Sequence, residues 1–446
     1  MAGRRLKVVV VGGGPAGLSA AWHLAQAGAE TVLVEKSKAL GGRSSSIHDS
    51  HTGQVIEPVH VFMGIYESAL KWFSSLGTLD KLVFEPRLGL HTLIPGGGRA
   101  GFRAARMVPP FDFMLGLWSL CNGFREKIQL LRFFRLLGPL SGLDRISVAM
   151  WFDRMRIPEA VRKYALEPLA TIYLNQPTSR ASAYPFVSLL RRVILRGAKS
   201  TSVGVSRVSL EDLYVRPAAE FISVKGGRII RGVSVTGLLV SDRGIVRGVA
   251  LDNGTAVESD AVISTVMPWD LARITSGYAG LDRFTLIMNE FKASPTVTIH
   301  LWLDRRVLRE PFASVASPAF DWVFDASGIR EEPESKGQRL CLMRTSATDL
   351  LDKKEAELIA LASEEVESFS GGLGKAEVIH GRVDWEMNAT VALEPGTQAM
   401  RPKVAGPIPG LLVAGDWVRT GLPTAFEGAV LSGIMAARRA AALRPN

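Results

Sequence analysis

Gly12, Gly14 and Gly17 stand in the spacing G-x-G-x-x-G, directly after the apolar run Val8 to Val11 and at the opening of an Ala-rich helical pattern. Such glycines allow a tight turn and let a pyrophosphate approach the helix N-terminus, where Ala16 lies. Glu35 closes the next strand about 20 residues later, where a carboxylate accepts hydrogen bonds from the ribose hydroxyls of an adenosine, with Lys36 beside it. Gly41-Gly42-Arg43 then offers a second glycine turn and a guanidinium able to pair with phosphate through two bonds. Near the other end, Leu411 to Ala414 forms an apolar run that delivers Gly415-Asp416, followed by Glu427-Gly428-Ala429 at the start of a second Ala-rich pattern. A helix beginning there aims its positive end at the negative charge that collects around N1 and O2 of a reduced flavin. Together these residues favour FAD over NAD as the bound dinucleotide.

The elements that must position them read as a β-α-β unit: a strand over residues 7–11, a helix over 16–27 with Gly28 as its cap, and a strand over 31–35. From Phe102 to about Leu143, and again from Trp151 to Arg196, the pattern is helical, with breaks expected at Pro158, Pro168 and Pro177. Strand character returns at 228–240, 245–251 and 261–265, and a second sheet begins over 296–304. The fold class expected is α/β: a discontinuous Rossmann-like FAD-binding domain built from residues 1–90, 206–290 and 386–446. Into it are inserted a helical region, 91–205, and an α+β substrate domain whose sheet occupies 291–385.

Composition is that of a folded protein, with 47% apolar and 22% charged residues. Fifty-three Lys and Arg against 43 Asp and Glu give a net charge of +10, which suits an acidic partner, surface or cofactor. The two cysteines, Cys121 and Cys341, are too few for a disulfide framework and are expected as buried thiols. No metal site and no nucleic-acid partner are expected. The stretch from Met107 to Phe124 is interrupted by Pro109, Pro110 and Asp112, so a transmembrane span is not expected either. Instead, Arg103, Arg106, Arg125, Lys127, Arg132 and Arg135 are interleaved with Phe102, Phe111, Phe113, Trp118, Phe124, Leu130, Phe133 and Phe134, the composition of a segment that lies on a membrane surface. A cytoplasmic protein peripheral to the membrane is the expectation.

At the glycine fingerprint, Glu35, Gly41-Gly42-Arg43 and Gly415-Asp416 the chain resembles the flavin amine oxidase and carotenoid desaturase superfamily, over nearly its whole length. That resemblance implies that the backbone at Val235 contacts the adenine. Residues 60–66, His-Val-Phe-Met-Gly-Ile-Tyr, are similar to a motif of phytoene and ζ-carotene desaturases. Residues 294–304 and Thr420-Gly-Leu-Pro423 are most similar to hydroxysqualene dehydroxylases, while Glu57-Pro-Val-His60 departs from the Asn-Gly-Gln-His type expected there. The family implies a hydrophobic, long polyisoprenoid substrate and hydride exchange with flavin N5, here in the reductive direction, with carotenoid desaturation as the alternative and oxidation of a small amine third. Glu57, His60 and Tyr66 lie in the segment that in relatives approaches the flavin and are the candidate catalytic residues, with Glu57 or His60 able to protonate a leaving hydroxyl.

Overall fold

The computed structural model describes residues 4–133, 138–197, 201–330, 337–370 and 376–443. The residues between Val8 and Val11 are almost wholly buried, because their strand, Lys7–Val11, lies at the centre of a parallel sheet covered on both faces. Its strand order is Arg228–Arg231, Glu30–Glu35, Lys7–Val11, Ala261–Ser264 and Leu411–Val413, all parallel. Three stretches of sequence far apart in the chain thus make one layer. Val8 and Val10 join the core under the helices Pro15–Gln26 and Phe426–Ala441, whereas Val9 and Val11 join Val235, Leu238 and Val249 beneath a three-stranded antiparallel sheet. The two helices approach very closely, since a Cβ on Gly433 would fall 2.3 Å from the Ala16 carbonyl.

A second, seven-stranded sheet runs in the order Val378–Val391, Ala293–Leu303, Gln338–Thr345, Trp322–Asp325, Phe312–Val315, Gly89–Ile94 and Gly98–Arg103. Side chains alternate across a strand. Val297, Ile299, Leu301 and Leu303 therefore bury one face against the helix Glu355–Ser370, while Thr296, Thr298 and His300 turn to the other face and line a cavity.

Several expectations shift. The helical pattern from Phe102 begins later: Phe102 lies in the strand Gly98–Arg103, because Pro95-Gly96-Gly97 turns the chain into a hairpin, with both glycines in the left-handed region (φ +86° and +83°). Residues 89–103 thereby join the sheet of the substrate domain, and the strand Val378–Val391 runs across residue 385. Pro168 does not break a helix but sits in the first turn of Glu167–Leu174, where a missing N–H costs nothing. Cys121 and Cys341 are both buried free thiols.

Candidate active site

The first glycine turn is explained position by position. Gly12 has φ +104°, a left-handed conformation that favours glycine, and its N–H donates to the Val34 carbonyl at 2.8 Å. At Gly17 a Cβ would lie 1.8 Å from the Gly12 carbonyl, so helix and turn pack directly. Gly14 differs: its φ is an ordinary −77°, and a Cβ there would meet nothing closer than Gly42 Cα at 4.0 Å. Neither backbone nor packing demands glycine at 14. The open space in front of it, at the N-terminus of Pro15–Gln26, fits a pyrophosphate that needs a bare backbone.

Glu35 is buried, and its two oxygens are fixed by backbone N–H groups, Gly13 donating at 2.6 Å and Ser37 at 2.8 Å. Gly13, not singled out from the sequence, is thus what orients the carboxylate. The Lys36 ammonium points elsewhere, to Asp270 at 3.7 Å. The second glycine turn, with Gly41 and Gly42 both left-handed, docks on the first through the Gly41 N–H, which donates to the Gly13 carbonyl at 2.9 Å. Arg43, expected to pair with phosphate, donates to Asp416 at 3.0 Å and to the Ala389 carbonyl, tying the N-terminal motif to the C-terminal one. Val235 is buried in the core shared by the parallel and antiparallel sheets.

Gly415 has φ +141°, and its N–H donates to Ser432 Oγ at 2.8 Å on the last helix. The loop after it is held by Arg401, which is 1% exposed and donates to the carbonyls of Asp416, Trp417, Val418 and Leu422 at 2.6–3.0 Å. Burial pulls its guanidinium down to about 10. In the sequence, a lone arginine carries no signal for four distant carbonyls. The helix Phe426–Ala441 starts at the cavity, with Ala425, Phe426 and Ala429 in its wall, and Gly428 packs against the Pro423 carbonyl. The Glu427 side chain faces away from that wall and accepts from the N–H groups of Ser68 and Ala69 at 3.0 and 2.9 Å, capping the helix Glu67–Leu76.

One cavity of about 350 Å³ joins these parts. Arg43, Asp416 and Ala429 contribute to its wall, and so do Phe312, Trp322 and Phe324 from the seven-stranded sheet. The candidate catalytic residues all border it, in different states. Glu57 is not free to give a proton to a substrate: its buried carboxylate pairs with Arg330 at 2.6 Å and accepts from the Leu210 N–H and the Ser46 hydroxyl. His60 Nδ1 lies 3.0 Å from the Pro58 carbonyl, which can only accept, so the proton sits on Nδ1 and Nε2 accepts from Ser44 Oγ at 3.1 Å. Burial, which favours the neutral ring, lowers this histidine against the pull of Glu57. Tyr66 adjoins Tyr173 from the helix Glu167–Leu174, and burial raises both phenols, which stay protonated. His300 and its neighbour Asp384, both in the wall, were not foreseen: within Val-Thr-Ile-His-Leu-Trp-Leu the alternation signals a strand, and the face turned inward depends on the partner strands.

The chain was then compared with known proteins. Residues 15–441 match the family of flavin containing amine oxidoreductases. Among curated proteins, it is 23% identical to 15-cis-phytoene desaturase of Glycine max, over 97% of this chain and 79% of that one. It is 26% identical to hydroxysqualene dehydroxylase of Sinorhizobium fredii, over 96% and 97%. Solved structures with the same fold include an oxidoreductase from Methanosarcina mazei (TM-score 0.74, 16% identity, 97% of this chain and 100% of that one). Putrescine oxidase bound to putrescine is another (TM-score 0.72, 16% identity, 98% and 99%).

Proposed function

The chain belongs to the flavin containing amine oxidoreductase family and is an FAD-dependent oxidoreductase; from that premise we propose that its substrate is a long polyisoprenoid and its reaction the reductive dehydroxylation of hydroxysqualene to squalene. The observation that carries the substrate class is the single cavity in which the cofactor-side residues Arg43, Asp416 and Ala429 stand opposite an aromatic wall of Phe312, Trp322 and Phe324. Three carboxylates of its wall are already engaged, Glu57 by Arg330, Asp416 by Arg43 and Asp384 by Arg382, and the other, Glu386, lies exposed at its edge. No buried carboxylate of the wall is left to hold an ammonium group, which argues against a small amine. A hydrocarbon gains from burial against such a wall at roughly 25 cal/mol per Å² of apolar surface.

Bound FAD supplies the hydride chemistry at N5. The protein's own part begins with Glu35, whose remaining lone pairs would accept from the ribose hydroxyls, while the bare backbone at Gly14 and the helix N-terminus behind it would hold the pyrophosphate. The start of Phe426–Ala441 turns a positive helix end to the cavity, where it would stabilise negative charge on a reduced flavin. The aromatic wall excludes water and holds the hydrocarbon, and Tyr66 with Tyr173 adds two buried phenols to the same wall. The choice of direction rests on residues 294–304 and 420–423 and on the likeness to hydroxysqualene dehydroxylase. Desaturation is the second reading, favoured by residues 60–66 and by the likeness to 15-cis-phytoene desaturase.

The same reading places the protein on a membrane surface. Phe111, Phe124, Ile128 and Leu131 are exposed, Phe124 at 78%, beside the exposed Arg106, Arg125 and Lys127. The expected segment is nevertheless thinned, because Phe102, Phe113, Leu130 and Phe133 are core residues, and Phe134 and Arg135 lie outside the described residues. Among the described residues no helix is long and apolar enough to cross a membrane. The substrate assignment is tested by incubating holoprotein and a chemical reductant with hydroxysqualene and analysing the extract by mass spectrometry. Squalene is the expected product; recovery of the unchanged alcohol contradicts the assignment.

A further inference from the structure

His300 is a buried ionisable group in the cavity wall with one ring nitrogen left without a partner among the described residues. It lies on Ala293–Leu303, paired across to Arg382 on one side and Cys341 on the other, and shares its face with Thr296 and Thr298. The ring is 2% exposed. Nε2 stands 3.3 Å from Asp384 Oδ2, and Nδ1 has no hydrogen-bond partner among the described residues. A buried imidazole nitrogen is rarely left unmatched unless a visiting group completes it. Asp384, by contrast, keeps 23% of its side chain in water, on an edge strand whose next residues, Trp385 and Glu386, are exposed. The pair therefore connects solvent to the inner wall.

We propose that His300, backed by Asp384, is the residue that exchanges the substrate's proton in this cavity. The proposal rests on the isoprenoid reading above. A carboxylate only accepts, so Nε2 carries a hydrogen toward Asp384, and Nδ1 is either a lone pair or, in the cation, a second N–H facing the substrate. In dehydroxylation the C–O bond breaks with both electrons going to oxygen, the Nδ1 proton moves to that oxygen, and water leaves. The carbon takes the hydride that reduced flavin supplies, its electrons coming from an external reductant. His300 is left neutral with its remaining hydrogen on Nε2 toward Asp384, and Nδ1 regains a proton from the water released in the cavity as product leaves. Dehydrogenation would use the same nitrogen in reverse, Nδ1 taking the proton as the double bond forms.

The surroundings permit both protonation states. Burial lowers His300, and Asp384 opposes it. Arg382 donates to Asp384 at 3.0 Å and, with His300, keeps that carboxyl low against the burial that would raise it. Cys341 and Arg339 face the ring from Gln338–Thr345, and across a small neighbouring cavity stand His60, Glu57 and Arg330, the last two paired with each other.

The test uses full-length holoprotein in three forms, wild type, His300→Gln and Asp384→Asn, checked for fold, FAD content and substrate Kd. Single turnovers with hydroxysqualene and with phytoene are followed from about pH 5 to about pH 8, the range in which a histidine titrates. With hydroxysqualene the wild-type rate falls as pH rises through the His300 pKa, because the acid form is lost. His300→Gln lowers the rate by about 10² to 10⁴-fold and flattens that limb while Kd stays within a few-fold. Asp384→Asn moves the limb to lower pH, since the anion that supports the imidazolium is gone. Nitrogen-15 histidine spectra give a readout free of turnover: the signal absent from His300→Gln titrates, and shifts in Asp384→Asn. If wild type consumes phytoene and ignores hydroxysqualene, the dehydroxylation reading fails, and His300 is judged on the phytoene rate, whose limb rises with pH. If neither is consumed, the spectra decide. A His300→Gln protein with the wild-type rate and limb, or a His300 signal that never titrates, overturns the proposal.

Discussion

Gly14 is the residue at which the protein's own packing and the cofactor's needs come apart. Gly12 and Gly17 are required by the turn itself, but a side chain at 14 would meet only open space in the protein. Gly14→Val should therefore leave the fold intact and abolish retention of FAD, measured as the flavin absorbance of the purified protein; a yellow Gly14→Val protein would contradict the placement of the pyrophosphate. Glu35→Ala should weaken FAD binding by about 1.5–3 kcal/mol, the worth of a charged hydrogen bond, in an equilibrium titration. Glu57 makes the opposite case. Its carboxylate answers Arg330, whose side chain is 21% exposed, so Glu57→Gln should cost about 2–3 kcal/mol of stability, below a fully buried pair. Thermal unfolding should record that loss; a wild-type Tm with turnover greatly slowed would return Glu57 to the role of proton donor.

At the scale of elements, legibility followed the range of the interaction. The strands Lys7–Val11 and Glu30–Glu35 and the helix between them could be read because strand, glycine turn and helix are contiguous and each has its own period. The hairpin at residues 89–103 could not, since its strands are short and carry glycines, and Phe102 joins the same apolar run as the helices that follow. Glu427 was read from its place at a helix start, yet its carboxylate caps a different helix 358 residues away in sequence. Glu427→Ala should destabilise the protein by about 1 kcal/mol, the usual loss of a cap, seen as a lower midpoint in urea unfolding. The exposed pair Phe124 and Ile128 makes a separate claim. Wild-type protein should float with anionic liposomes in a salt-dependent way, and Phe124→Glu with Ile128→Glu should abolish flotation without changing Tm; flotation equal to wild type would remove this face from the docking proposal.

The whole molecule is organised around one junction, where a parallel sheet built from three distant stretches meets the face of a seven-stranded sheet. Arg401 stabilises the loop at that junction, and its removal in Arg401→Met would leave four carbonyls without their donor at roughly 1–3 kcal/mol for each that finds no water, enough to lower Tm by several degrees and loosen FAD. The cavity lies at that junction, lined from both sides. On the proposed function, hydride passes between flavin and a hydrocarbon, in a direction that a single optical measurement distinguishes. Chemically reduced holoprotein, mixed anaerobically with hydroxysqualene in a stopped-flow cell, should regain the oxidised flavin band and yield squalene, while oxidised holoprotein mixed with phytoene should keep its band. Bleaching of the oxidised protein by phytoene, with the reduced protein unmoved by hydroxysqualene, would contradict the reductive account and put desaturation in its place.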